Sequence, residues 1–67
     1  MTIHHPLVVF LKKQGCVILR VIDNVIEFVT PNGLDGRITR VSSSDWRESI
    51  DGEEVRHDSL ISLKAAW

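Results

Sequence analysis

The chain has 67 residues, 43% of them hydrophobic, and a formal net charge of −1 at pH 7. Its length predicts one small domain over residues 1–67, and its apolar content excludes an intrinsically disordered chain. The near-neutral charge argues against a general nucleic-acid coat protein, because such proteins carry a strong basic excess. The sequence shows neither a signal-peptide pattern nor an apolar run of the roughly 18 residues that a membrane span requires, so we expect a cytoplasmic protein without a membrane partner.

The first element lies between Pro6 and Gly15 and carries two competing patterns. The helical interpretation of Leu7–Gln14 places a proline in the first turn, two lysines in the last turn and a glycine at the C-terminal cap. Its large apolar side chains also recur with i, i+3, i+4 spacing. The alternative is a strand around Val8–Phe10 followed by a turn at Gln14-Gly15. We predict the helix, whereas the strand would give an all-β small barrel.

The segment Cys16–Thr30 predicts a β-hairpin, around which the rest of the chain is organised. Two runs rich in β-branched residues flank Asp23-Asn24, and such residues favour a pleated sheet over a helix. Asn tolerates the positive φ values of a two-residue hairpin turn, and Asp does so less readily. We therefore expect two antiparallel strands joined by a tight turn.

Alternation along the hairpin separates two faces. We predict that Leu19 and Phe28 belong to the drier face, which enters the core, and that Arg20 and Glu27 mark the wetter face. The wetter face also carries apolar residues, namely Ile18, Ile22, Val25 and Val29. One small helix covers only one face of a sheet, so the C-terminal segment or a second copy has to cover the other. A homodimer is predicted, with the Arg20–Glu27 face at or near its interface.

A third antiparallel strand is predicted at Arg37–Ser42, after the turn-rich segment Pro31–Gly36. Its polar and apolar residues alternate, as in a strand with one face in the core. We expect an edge strand, because Arg37 and Arg40 would discourage pairing with another sheet.

The segment after this strand is predicted to be helical for about one turn. Asp45 and Glu48 have the spacing of a capping box, and Asp51-Gly52 would end the turn after Ile50. If Arg47–Ile50 is extended instead, Asp51-Gly52 forms a hairpin turn.

The last element is predicted to be a helix at Leu60–Trp67, capped by Asp58 or Ser59. Residues 53–56 before it have no clear pattern. Together the elements predict an α+β fold, namely a three-stranded antiparallel β-meander with an N-terminal helix packed on it and a short C-terminal helix.

Residue types with catalytic or metal-binding chemistry are present, but their spacing does not form a site. In His57-Asp58-Ser59 the side chains are adjacent in sequence, so they do not face one another on a regular element. The pair His4-His5 has poor ligand spacing and no cysteine to support it. Cys16 lies in an apolar run, which predicts a buried, inert thiol in a reducing compartment. The sequence predicts no enzyme, no metal site and no cofactor.

The segment Phe10–Val17, the apolar hairpin after it and Thr30–Gly33 before a third strand form a series of motifs. Over Leu7–Val41 this series resembles the HicA-type mRNA interferase toxins. The resemblance implies a helix–three-strand–helix fold related to double-stranded-RNA-binding domains. The catalytic histidine of that family follows a Gly-Ser/Thr pair at the start of the second strand, where this chain has Ile22–Val25. Ribonuclease activity is therefore not implied.

These observations predict a small non-enzymatic interaction module that regulates or inhibits a protein by binding it. The alternative is a nucleic-acid-binding module, since residues 1–42 carry five basic and three acidic groups. Such binding would be weak, because residues 43–67 carry three basic and six acidic groups. Tryptophan is enriched at interface hot spots, although both tryptophans also suit the core. The candidate partner-binding residues are Lys12, Lys13, Arg20, Arg37, Arg40, Trp46 and Trp67.

Overall fold

The chain forms one antiparallel sheet and two helices in the described sequence. This computed structural model describes the backbone of residues 5–67 and the side chains of residues 6–67. The elements are α1 His5–Lys13, β1 Val17–Ile22, β2 Val25–Val29, β3 Asp35–Ser42, β4 Asp45–Ile50, β5 Glu53–His57 and α2 Leu60–Ala65. The five strands follow one another across the sheet in chain order.

The N-terminal segment is helical, as predicted, and α1 ends in a glycine cap. Gly15 has φ +91°, a left-handed conformation that glycine adopts without strain. Its amide donates to the carbonyl of Lys12 at 3.1 Å, and the amide of Cys16 donates to the carbonyl of Leu11 at 3.0 Å. These two bonds form a Schellman motif, which satisfies the last carbonyls of the helix and directs the chain into β1.

The predicted hairpin is present as β1 and β2, but Leu19 is not a core residue. β1 contains a bulge between Ile18 and Arg20, and a bulge adds one residue that has no partner on the neighbouring strand. Ile18, opposite Phe28, packs against the core, while Leu19 is 61% exposed. Strict alternation does not allow for a bulge, so it assigned the wrong residue of β1 to the core. Phe28 is fully buried, as predicted.

The sheet has five strands instead of three, because the segment after β3 is extended. The predicted helical turn at Asp45–Glu48 is wrong, and the alternative with a hairpin turn at Asp51-Gly52 is correct. Both turn residues have positive φ, +53° and +83°, as a type I′ turn requires. β3 is therefore the central strand, and the prediction that Arg37–Ser42 is an edge strand is wrong. The helix–three-strand–helix plan of the HicA-type resemblance fails for the same reason.

Both helices pack on the same face of the sheet, which we call the covered face. Leu7 and Leu11 from α1 and Leu63 from α2 are fully buried. They join the buried apolar side chains of the strands, namely Ile26, Phe28, Ile38 and Trp46. α2 begins after the predicted cap Ser59, whose hydroxyl accepts a hydrogen bond from the amide of Ser62 at 3.0 Å. The layers confirm the α+β class, and the open sheet excludes the small barrel.

Candidate protein-interaction surface

One face of the sheet is left bare by the described part of the chain, and we call it the open face. The C-terminal segment and a second copy were the two candidate covers for it, and α2 instead packs over β4 and β5 on the covered face. Alternation with the buried strand residues assigns these side chains to the open face: Val17, Arg20, Ile22, Val25, Glu27, Val29, Asp35, Arg37, Thr39, Asp45, Arg47, Ser49, Glu54 and Arg56.

Glu27 on β2 is shared by two arginines from the neighbouring strands. Its Oε1 lies 3.9 Å from Nε of Arg20, and its Oε2 lies 3.1 Å from Nη2 of Arg37. The register causes this arrangement, because Arg20 and Arg37 are the residues directly opposite Glu27 on β1 and β3. The arginine side chains are 63% and 61% exposed and the glutamate 31%. The guanidinium groups therefore reach farther into solvent than the carboxylate they share.

A second cluster of the same composition lies on β4 and β5. Oδ2 of Asp45 lies 3.7 Å from Nη2 of Arg47 and 3.3 Å from Nη2 of Arg56. Arg47 and Arg56 are directly opposite each other, and like charges in that position repel. Asp45 reduces this repulsion and is again the more sheltered partner. With two arginines and one carboxylate, each cluster by itself carries one net positive charge, and Asp35 and Glu54 elsewhere on the open face balance the two.

Apolar side chains accompany the first cluster on the open face. Ile22 and Val25 are paired across β1 and β2, and Thr39 on β3 continues their row. Ile22 and Val25 line a surface depression together with Arg20 and Glu27. The open face therefore combines exposed apolar area with guanidinium groups, and arginine is enriched at protein interfaces.

The structure distributes the predicted basic residues over three places. Arg20 and Arg37 meet on the open face. Lys12–Lys13 lie at the C-terminal end of α1, in the helix layer. Arg40 lies on the covered side, where its guanidinium carbon is 5.8 Å from the ring centre of Trp46. The five groups do not form a single basic patch.

Sequence reasoning missed Arg47 and Arg56 as members of this surface. The predicted helical turn at Asp45–Glu48 concealed the alternation of β4, in which Trp46 faces the core and Arg47 faces away. The available signal was the Asp-Gly hairpin turn after Ile50. A strand interpretation based on that turn would have placed Arg47 on the open face.

Trp46 belongs to the core, and Trp67 packs against the edge of the core. Trp46 is 5% exposed. The ring centre of Trp67 lies 5.9 Å from that of Phe28 and 6.4 Å from that of Phe10. Trp67 is 37% exposed, so it keeps one side accessible to a partner.

A buried polar cluster joins β4, β5 and the end of α2. Nε1 of Trp67 donates to Oε2 of Glu48 at 2.6 Å, and Nε2 of His57 lies 3.1 Å from Oε1 of Glu48. An ionised carboxylate only accepts hydrogen bonds, so the second bond places a proton on Nε2 of His57. Glu48 and His57 are both buried. Because each oxygen of Glu48 already accepts a bond within the protein, we interpret the cluster as a structural tie.

Metal-ligating groups and the single thiol are the other candidate site chemistry of the described residues. Within residues 5–67, no three His, Cys, Asp or Glu side chains are placed to hold a metal ion. His4 and the side chain of His5 lie outside the described residues. Burial raises the pKa of the Cys16 thiol, and a protonated thiol is a poor nucleophile. No described helix is long and apolar enough to cross a membrane.

Comparison of the chain with family models, with curated proteins and with solved structures found no match in any of the three. The resemblance to the HicA-type toxins therefore rests on the motifs of residues 7–41 alone. The open face has to be interpreted from its own chemistry.

Proposed function

We propose that this protein is a small non-enzymatic interaction module that binds a protein partner on its open face. The observation that carries the proposal is the composition of that face, which holds two arginine clusters, the first of them beside the exposed apolar side chain of Ile22. Arginine and large apolar groups are frequent anchors of protein interfaces. Exposed ion pairs contribute only about 0–1 kcal/mol each. The guanidinium groups can therefore exchange their internal carboxylates for those of a partner at small cost.

The complementary partner carries carboxylate groups next to apolar side chains. Each cluster holds two guanidinium groups against one carboxylate, and a carboxylate can bind a guanidinium through two parallel hydrogen bonds. One cluster spans β1 to β3 and the other lies on β4 and β5. A partner that engages both has to cover the full width of the sheet.

We propose that the binding regulates or inhibits the partner by occupying its surface, and that it takes place in the cytoplasm. The buried, unpaired thiol of Cys16 supports a reducing compartment, where disulfides do not persist. The buried acid–base pair of Glu48 and His57 supports a role without catalysis, since its carboxylate is engaged within the fold.

Capture experiments with matched charge-reversal variants test this function. Arg37→Glu combined with Arg56→Glu removes one arginine from each open-face cluster. Lys12→Glu combined with Lys13→Glu makes the same change of net charge on α1. We expect the open-face variant to lose the proteins that the parent chain binds, and the helix variant to retain them. In calorimetry, a purified partner should bind the parent and the helix variant with similar affinity and the open-face variant more weakly.

All four substituted positions are exposed, so both variants should fold, which circular dichroism verifies. Equal loss of binding in both variants would reduce the effect to net charge and contradict the proposal. The absence of any protein that distinguishes the two variants would contradict it as well.

Nucleic acid is the second candidate partner, because the same four open-face arginines can bind phosphate groups. Two observations favour a protein partner over nucleic acid. The open-face side chains described above include no aromatic ring on which a base could stack. Lys12–Lys13, which would extend a basic surface, lie in the helix layer instead.

A further inference from the structure

The two helices leave one corner of the covered face accessible, beside the hairpin of β4 and β5. A groove of about 270 Å³ lies in this corner, and we call it the acidic groove. Its lining residues come from the chain before β3, from β4, from the turn after β4 and from β5, namely Leu34, Glu48, Ile50, Asp51, Glu53 and Val55.

Strand register places the acidic groove on the covered face. Glu48 of β4 is buried and bonds the indole of Trp67 at the end of the helix layer. Val55 lies directly opposite Glu48, and Glu53 lies directly opposite Ile50. Residues that are opposite each other on antiparallel strands share a face of the sheet. The acidic groove and the arginine clusters of the open face therefore lie on opposite sides of the molecule.

Apolar side chains form part of the groove and remain accessible. Val55 is 52% exposed and Leu34 is 37% exposed, while Ile50 is partly buried. Pockets for drug-sized ligands measure about 300–1,000 Å³. A groove of about 270 Å³ is smaller than that, so it suits side chains of a protein partner better than a separate small molecule.

The two exposed carboxylates of the groove, Asp51 and Glu53, have no cationic partner among the described side chains. None of the ion pairs in this part of the chain includes either residue. Both oxygens of Glu48 are engaged within the protein, so Glu48 offers no free acceptor to a partner. On the open face, by contrast, arginines engage the carboxylates of both clusters.

We propose that the acidic groove binds a protein segment in which a lysine or an arginine lies next to a large apolar side chain. The apolar side chain packs on Ile50 and Val55, and the cationic group meets Asp51 and Glu53. This surface goes beyond the proposed function of the open face and does not depend on it. Because the two surfaces lie on opposite sides of the sheet, occupation of one leaves the other accessible.

Charge selects this occupant over the alternatives. The phosphate groups of a nucleic acid would be repelled by Asp51 and Glu53. Within residues 5–67, no three His, Cys, Asp or Glu side chains are placed to hold a metal ion. A second copy would present its open-face arginines, which already lie against carboxylates of their own chain. A lysine or arginine of another protein segment has no such contact to give up.

Nuclear magnetic resonance with three matched synthetic peptides tests the proposal on the whole chain. The peptides share one frame of serine and glycine and differ only in a central Leu-Arg-Leu, Leu-Glu-Leu or Ser-Arg-Ser. We expect the Leu-Arg-Leu peptide to cause saturable shifts of the methyl resonances of Ile50 and Val55, and these shifts should weaken as salt is added. The other two peptides should bind more weakly by about tenfold or more.

Matched variants then distinguish the groove from net charge. Asp51→Asn combined with Glu53→Gln removes both carboxylates, and asparagine tolerates the positive φ of Asp51. Glu54→Gln combined with Asp58→Asn makes the same change of net charge at exposed positions outside the groove. The groove variant should bind the Leu-Arg-Leu peptide about tenfold more weakly than the parent, and the control variant should bind it as the parent does.

Four outcomes would overturn the proposal. The first is the absence of saturable methyl shifts at millimolar Leu-Arg-Leu peptide, and the second is equal binding of the Leu-Glu-Leu peptide. The third is an equal loss of affinity in both variants. The fourth is a shift of the same methyl resonances with the concentration of the chain alone, because a second copy would then occupy the groove.

Discussion

Glu48 is buried, which is unusual for an acidic residue. Charged side chains are rarely buried unless they are paired, and here the carboxylate accepts bonds from His57 and from the indole of Trp67. The three residues come from β4, β5 and the end of α2. The cluster therefore ties the last helix to the two strands that follow β3.

Glu48→Ala is expected to destabilise the fold by about 3 kcal/mol, because it leaves the buried His57 without its acceptor and frees the indole of Trp67. The midpoint of urea unfolding measures the change. Glu54→Ala removes an exposed carboxylate from β5 and should change the free energy of unfolding by less than about 0.5 kcal/mol. Equal effects of the two substitutions would show that the Glu48 cluster does not stabilise the protein.

The strand pair β2–β3 depends on a close contact between an aromatic ring and a glycine. Gly36 lies directly opposite Phe28, and a Cβ atom at Gly36 would clash with the Phe28 ring. The ring has little room to move, because Phe28 is fully buried and its centre lies 5.9 Å from that of Trp67. Glycine at this position is thus required by packing and not by a turn.

Gly36→Ala should cost about 1–3 kcal/mol through overpacking. In a Phe28→Leu background the same change should cost less, because the ring that meets the new methyl group is absent. Chemical denaturation of the parent, the two single variants and the double variant gives the coupling energy between positions 28 and 36. Additive effects of the two substitutions would contradict the proposed clash.

In the hairpin β1–β2, two large apolar residues have opposite environments, since Phe28 is fully buried and Leu19 is exposed. Phe28→Ala should cost about 3–5 kcal/mol, a large share of the roughly 5–15 kcal/mol that stabilise a domain, and should leave the chain largely unfolded. Leu19→Ala should change the free energy of unfolding by at most about 0.5 kcal/mol, since Leu19 lies in the bulge and is exposed. Thermal unfolding followed by circular dichroism distinguishes the two. A cooperative transition of Phe28→Ala close to that of the parent would contradict the assignment of the core.

At the scale of the whole molecule, both helices lie on one face of the sheet, and the described residues leave the other face uncovered. The principal dimensions of the molecule are 28, 27 and 19 Å, so the sheet face measures at most about 750 Å², the product of the two longer lengths. An interface of standard size uses about 800 Å² on each partner. The open face is thus large enough for one specific interface.

If nucleic acid binds this face, we expect the affinity to be weak and to depend steeply on salt. Four arginines in contact with phosphates would give a slope of about −3.6 in a log–log plot on duplex DNA, at about −0.9 for each contact. Fluorescence anisotropy at several salt concentrations measures this slope for duplex DNA and for RNA. Tight binding that persists at high salt would contradict an electrostatic mode on this surface.

Local signals in the sequence were sufficient for the helices and for the first hairpin. Gly15 ends α1, Ser59 caps α2, and Asp23-Asn24 turns β1 into β2, because each depends on residues within a few positions along the chain. Alternation along the hairpin also placed Arg20 and Glu27 on one face, where the structure pairs them.

The number of strands and the identity of the bare face were decided only by the tertiary structure. Trp46 and Ile50 are four residues apart, a spacing that also fits one side of a helix. The strand alternation is hidden because the buried position between them is occupied by the acidic Glu48. That charge is tolerated in a strand only through His57 and Trp67, which are 9 and 19 residues away. Likewise, the bulge in β1 and the packing of α2 beside α1 follow from contacts between distant segments, and no local pattern contains them.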